Sequence, residues 1–584
     1  MHLSTYVFRY YWVLPSACQQ HGLRREPAAC CLHIRGLLCV RGGHTSHTQS
    51  HIRFRDRHHG WTPGNTLRVL QGRQESMTQT ATSQSGTPEP SASTNLLRSS
   101  ISFFHIVFMV TAAAAPLVVV SAYIPISLNV GAGMSTALTY AATTVILLTF
   151  TVGFAQMAKR ITSAGAFYTF TAHGLGRPTG LAVGFTVMAA YSMISPAIAG
   201  GFGFYTSALL QAHFGLHIAW YWCSIAALAL MFVISFYRIT YGARILSVLL
   251  TVEVLVVLVV CIATVGSGGS SGQVPSAFDP SQWGTAPAVG IGFFLAFWSW
   301  IGFETTAIYG EETMDPKRAV PRATYIAVLT LGIFYTFAAY AGIVGFGKDS
   351  PAKAGSLLDQ YFFELADLHT VHTIRTIMDF LVVTSFFACS FAFHNNATRY
   401  LFSLGRDGIL PKALGRTHQT HKSPYLAAAV QASIATVTVA LFAIGGAQPL
   451  LQLGTWLPIF CTLAVIVVQL VVSVAVIGYF NRVGRNSPGD WWKTMLAPVI
   501  GALAQGVVVW LLLRNITFLA GTENLVVKLI PLYVAVIAVG GFAYAMWLRR
   551  TDRQRFESIG QLHDEELEEI FVDEMYVREG QSRD

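Results

Sequence analysis

Residues 298–321 read WSWIGFETTAIYGEETMDPKRAVP. The stretch begins as the end of an apolar run, places the carboxylate of Glu304 inside it, and leaves through an acidic pair into a basic, proline-punctuated turn. An ionisable side chain at bilayer depth is costly and marks a functional site by default. Gly302, two residues earlier, has no side chain to shield the backbone and invites a break in the helix. Backbone broken at membrane depth is tolerated only where it is buried in protein or lines a cavity. The stretch therefore predicts an interrupted membrane helix built around a polar site.

The rest of the chain agrees with that setting. Of 584 residues, 53% are hydrophobic and 11% charged, with a mean hydropathy of +0.50; soluble domains carry about 25% charged residues. Apolar runs of the roughly 20 residues needed to cross a bilayer recur along it. Twelve spans are expected, at 102–127, 134–155, 179–209, 217–236, 243–266, 288–310, 322–346, 374–402, 424–445, 452–479, 494–513 and 527–548. The fold class is an all-α polytopic membrane protein.

Lys and Arg collect in alternate connections: Lys159, Arg160 and Arg177; Arg238 and Arg244; Lys317, Arg318 and Arg322; Arg406, Lys412, Arg416 and Lys422; Arg482 and Arg485; Arg549 and Arg550. The loops 128–133, 210–216, 267–287 and 446–451 contain none. The positive-inside rule then puts both termini in the cytoplasm of a multi-pass protein of the plasma membrane. The acidic tail 551–584 reads as a solvated cytoplasmic end.

The formal charge of +9 does not point to nucleic acid. Residues 1–76 hold ten Arg, no Lys and three acids, which leaves 28 basic and 26 acidic residues in the remainder. The same segment holds eight of the 18 His and Cys18, Cys30, Cys31 and Cys39, without hydrophobic period. It is read as a mis-annotated or disordered extension, with translation expected to begin at Met77 and 77–100 forming a flexible tail. Arg9 interrupts the apolar run 5–17, which argues against a signal peptide, and Cys30, Cys31 and His33 match no zinc spacing. Cys223, Cys261, Cys389 and Cys461 sit singly in apolar runs and read as packing residues.

The first span holds TAAAAPLVVVSAYIP at 111–125. Pro116 breaks a helix by lacking an amide hydrogen and clashing with the preceding turn, and the alanines before it admit a neighbouring backbone. Interruptions at corresponding positions of two repeats are the best sequence pointer to a transporter site. The first and sixth spans correspond if 101–266 and 288–480 are two five-helix repeats, followed by two peripheral helices within 493–550. Half-helix N-termini would then face a carboxylate and freed carbonyls an ammonium.

The segment GFETTAIYGEETMDPKRAVPRA (302–323) resembles the signature ending the sixth helix of the amino acid–polyamine–organocation permeases. NNATRYLFSLGRDGILP (395–411) is similar to their eighth-helix exit, and SAGAFYTFTAHGLGRPTG (163–180) to their second-to-third helix loop. The resemblance covers about 100–550. It implies a 5+5 inverted-repeat core plus two peripheral helices, and an alternating-access carrier of amino acids or related amines. It also implies that Trp298, six residues before Glu304, lids the substrate. Many relatives carry a glycine-rich stretch in the broken first helix where this chain has Ala-Ala-Pro-Leu.

The expected substrate-binding residues are Ala114, Ala115, Pro116, Leu117, Val118, Trp298, Ser299, Trp300, Ile301, Gly302 and Phe303. Glu304 and then Glu253 are the candidates for proton coupling. Glu311, Glu312, Lys317, Arg318 and Arg406 are candidates for a cytoplasmic gate, the two acids pairing with Lys317, Arg318 or Arg406. No GxxxxGK[ST], HExxH or GxSxG motif occurs and no paired-Cys metal spacing lies in the membrane core, so no metal, cofactor or enzymatic activity is expected. The partners expected are a small-molecule amino acid or amine, protons and the lipid bilayer, and no nucleic acid. The alternatives are an exchanger of another small metabolite or organic cation, and a channel or non-transporting sensor on the same fold.

Overall fold

The computed structural model describes residues 101–561 apart from 238, 271, 287 and 485–487. The expectations for 1–76, for 77–100 and for the tail beyond 561 fall outside the described residues. Twelve helices among the described residues are long and apolar enough to cross a membrane. The expected spans match them in number and order. The seventh differs most, because the helix Pro316–Phe346 runs on into the short helices Ser350–Leu357 and Tyr361–His369. Outside the helices, the described residues hold one isolated bridge, between Ile101 and Thr313.

Burial separates the spans by role. The apolar window of the sixth span, Val289–Ile308, is entirely buried, whereas those of the eleventh, Trp492–Ala520, and twelfth, Ile530–Thr551, are 33% and 22% buried. A helix that is apolar all round and still exposed has lipid for its solvent. The sixth span is thus the centre, and the last two lie at the edge. The long third span, Arg177–Phe214, and the eighth, His372–Arg406, pack along each other; the twelfth lies on the third, and the eleventh on the second and tenth.

The first span, Phe103–Val130, sits against the fifth, seventh and eighth. Its start is joined to the exit of the sixth: the Ile101 amide donates to the Glu312 carbonyl at 2.9 Å, and the Met314 amide to the Ile101 carbonyl at 3.0 Å. Its other end meets the helix Ser350–Leu357. That lid is pinned by the Tyr361 hydroxyl on the Gly342 carbonyl at 2.9 Å and by the Ser350 hydroxyl on the Ile343 carbonyl at 2.9 Å. The end of the molecule that carries Lys159, Arg406 and Arg482 is called the basic end below.

Candidate functional site

The helix Phe103–Ala114 stops because Pro116 drives the residue before it out of the α region. Ala115 takes φ 45° and ψ 70°, and the chain resumes through Pro116–Val118 and a wide turn, Val119–Tyr123. Backbone groups freed at such a break need partners. The Cys389 thiol donates to the Ala113 carbonyl at 3.1 Å and the Tyr335 hydroxyl to the Ala114 carbonyl at 2.7 Å. The Leu117 amide donates to Glu253 Oε1 at 2.6 Å, and Ser385 Oγ donates to the same oxygen at 2.8 Å. Glu253, on the fifth span, is 2% exposed and ties the broken first span to the eighth.

The sixth span breaks by different means. The helix Val289–Trp300 ends where Ile301 turns to ψ 127°, Gly302 takes φ 109°, and helix resumes at Thr305–Ile308. Glu304 folds back on this break: its Oε2 accepts the Gly302 amide at 3.1 Å and its Oε1 the Tyr191 hydroxyl. A Cβ at position 302 would stand 2.8 Å from Ala113 Cβ and 3.1 Å from Phe393 Cζ. The two breaks touch at Gly302, with the eighth span closing the third side.

Between them lies a cavity of about 20 Å³, room for little more than one water. Ala114, Ala115, Val118, Trp298, Ser299 and Ile301 line it. Trp298 meets Tyr123 edge-on, with ring centroids 6.1 Å apart, and Ser299 Oγ lies 3.2 Å from the Tyr140 hydroxyl. Five of the expected residues lie behind that wall. Trp300, two residues and about 200° of helical turn from Trp298, packs on Tyr140 and Tyr335. Phe303 lies beyond the break against Phe150, and Pro116, Leu117 and Gly302 shape the backbone. Ala113, Val119, Tyr123, Ile198, Cys389 and Phe393 complete the lining. Tyr123 lies in the segment that marks the first break, whereas nothing in the sequence around Ile198, Cys389 or Phe393 singles them out.

Residues 101–542 match the family model for amino acid permeases. The chain belongs to the amino acid permease family. It is 22% identical over 365 residues to the branched-chain amino acid permease BcaP of Bacillus subtilis, covering 58% of this chain and 74% of that one. It is 23% identical over 393 residues to the low-affinity putrescine importer PlaP of Escherichia coli, covering 65% and 82%. It is 28% identical over 314 residues to an uncharacterised transporter of Rhizobium meliloti, covering 52% and 63%. The protein is a multi-pass membrane transporter of amino acids or amines.

At its basic end the permease carries two ion pairs between the eighth span and the exit of the sixth, the first of them bidentate. Arg406 Nη1 and Nη2 donate to Glu311 at 2.9 and 2.7 Å, and the Ala164 amide donates to the same carboxylate at 2.8 Å. Glu312 pairs with Arg399, outside the set of expected partners: Nε and Nη2 reach its Oε1 at 2.9 and 2.6 Å. Arg399 is 1% exposed and its guanidinium lies 3.8 Å from the centre of the Tyr309 ring. Arg406 is thus one of the expected partners, whereas the helix Pro316–Phe346 starts on the surface. There Lys317 and Arg318 are exposed, and Arg318 faces Asp315 at 3.8 Å. Arg399 lies two helical turns up the eighth span from Arg406, and reaches Glu312 from the buried side. Among the described residues, no three or more His, Cys, Asp or Glu side chains gather as a metal site.

Proposed function

We propose that this permease is a secondary active transporter that moves a neutral, aliphatic amino acid across the plasma membrane by alternating access, coupled to protons, with the basic end in the cytoplasm. The observation that carries the substrate class is the cavity wall. Its residues are mostly Ala, Val, Ile, Phe and Trp, with polar side-chain atoms from Tyr123, Ser299, Cys389 and the Trp298 indole, and no carboxylate or ammonium group. A diamine would bury a second charge there without a partner, which is expensive. The likeness to a branched-chain amino acid permease supports the same choice over the likeness to a putrescine importer.

The polar end of an amino acid has complements in the first break. A carbonyl has two lone pairs, so the Ala114 carbonyl, which already accepts the Tyr335 hydroxyl, keeps one for an ammonium, and the helix beginning at Pro116 presents its positive end to a carboxylate. That positive end already carries Glu253 through the Leu117 amide. A substrate carboxylate beside an ionised Glu253 is repelled, so the two share the helix end only with a proton between them. This makes Glu253 a better coupling group than Glu304, whose carboxylate is turned onto Tyr191 and Gly302.

The test is uptake of labelled leucine, alanine and putrescine by purified protein in liposomes, with and without an inward proton gradient. Saturable, gradient-driven leucine accumulation is expected, with Glu253→Gln still exchanging leucine but no longer answering to the gradient. Accumulation of putrescine in preference to leucine would overturn the substrate class. Accumulation by Glu253→Gln equal to wild type would remove Glu253 from coupling.

A further inference from the structure

Beyond the twelfth span, Asp552 caps a short helix, Arg553–Glu557, by accepting the Arg555 amide at 3.1 Å. The next three residues then turn back into the protein. Ile559 is 2% exposed. The Gly560 amide donates both to the Tyr168 hydroxyl at 2.6 Å and to Asp407 Oδ2 at 3.1 Å, while that hydroxyl itself donates to Asp407 Oδ2 at 2.7 Å. Ser558 Oγ donates to the Asp407 carbonyl at 2.5 Å. The Gly560 carbonyl lies 3.1 Å from His173 Nε2, and because a carbonyl only accepts, that nitrogen carries the proton. Gly560 takes φ 69°, and a Cβ there would stand 2.6 Å from Ala172 Cβ. A buried, hydrogen-bonded glycine at the end of a short exposed helix is a fitted contact, not a trailing end.

What it fits is a junction between two elements at the basic end. Tyr168 and His173 belong to the short helix Phe167–Leu175, and Asp407 follows the last residue of the eighth span. Arg406, next to Asp407, holds Glu311, and Glu311 also accepts the amide of Ala164, in the loop that leads into that same short helix. The C-terminal segment therefore clips together two elements that the ion pair already joins at the mouth of the basic end.

We infer that Ser558–Gly560 is an autoinhibitory latch, which holds the basic end closed and must leave its seat for that end to open. The inference rests on the proposed orientation and alternating access of the permease. Release costs two or three hydrogen bonds, and their net loss shifts the closed-to-open balance by about tenfold to a hundredfold. The latch sets how often the carrier faces inward without touching the substrate.

Cys389, on the cavity wall, supplies a native reporter. Its alkylation by a charged, membrane-impermeant thiol reagent applied to inside-out vesicles is followed by mass spectrometry of its peptide in the full chain. Gly560→Val, which cannot seat against Ala172, is expected to raise the rate about tenfold, as is a chain ended at Thr551. Wild-type rates in Gly560→Val present at normal membrane level would overturn the latch. Should both variants be lost from the membrane, Ser558→Ala and Tyr168→Phe carry the same expectation, and wild-type rates in both would overturn it. The reagent needs no substrate. Vesicles that label faster in the variants yet carry no amino acid would therefore sink the transport reading and sustain the latch.

Discussion

At the scale of single residues, the two breaks are made by opposite chemistry. Ala115 holds a left-handed backbone that costs an L-residue about 1–2 kcal/mol and glycine almost nothing; Gly302 holds φ 109°, which only glycine adopts freely. Two substitutions should therefore move stability in opposite directions. Ala115→Gly is expected to raise the midpoint of thermal unfolding in detergent, by a gain of up to about 1 kcal/mol, with transport retained. Gly302→Ala adds strain and a Cβ 2.8 Å from Ala113 Cβ, and is expected to lower the midpoint and abolish uptake. Equal midpoints for Gly302→Ala and wild type would mean that the break relaxes freely.

At the scale of elements, the Arg399–Glu312 pair is the more deeply buried of two ion pairs between the eighth span and the exit of the sixth. Both side chains are nearly out of reach of solvent. Removing one partner of a buried pair costs about 3–5 kcal/mol, whereas replacing both by apolar groups is often close to neutral. Arg399→Leu alone is thus expected to lower the unfolding midpoint sharply, and Arg399→Leu with Glu312→Leu to regain most of the loss. A double variant no better than the single one would assign the cost to the cation–π contact with Tyr309 instead. This pair also marks where the sequence stops being informative. Pro116 and Gly302 announce their breaks locally, through a missing amide hydrogen and a missing side chain, and the apolar runs give the spans within a few residues. Which arginine meets Glu312 depends on how the eighth helix lies across the sixth; the sequence offered Lys317, Arg318 and Arg406, and of these Arg406 meets Glu311 while Arg399 takes Glu312. Glu253 was legible as a buried charge, but not as the partner of the Leu117 amide, because 136 residues separate them.

At the scale of the whole molecule, a cavity of about 20 Å³ is too small for any amino acid, so the breaks are drawn together on each other in this conformation. Trp298 on Tyr123 lies on one side of them, and the Arg406–Glu311 and Arg399–Glu312 pairs tie the eighth span to the exit of the sixth at the basic end; under the proposed alternating access these are the contacts that a closed carrier must release. A carrier cycles only if neither closure is much stronger than the differential binding energy its substrate supplies. Glu311→Gln tests that balance. It removes the charge from a bidentate, partly exposed pair, a class of hydrogen bond worth about 1.5–3 kcal/mol when charge-assisted, and some of that is lost to solvent screening at 21% exposure. The basic end should then stand open more often. A substrate offered from that side should half-saturate exchange at lower concentration, and one offered from the opposite side at higher concentration, because fewer molecules face it. Both half-saturation values are measured in oriented vesicles. A shift of the two in opposite directions is the signature of one equilibrium shared by two gates. A change on one side alone would mean that Glu311 acts locally and that the two ends open independently, which alternating access forbids.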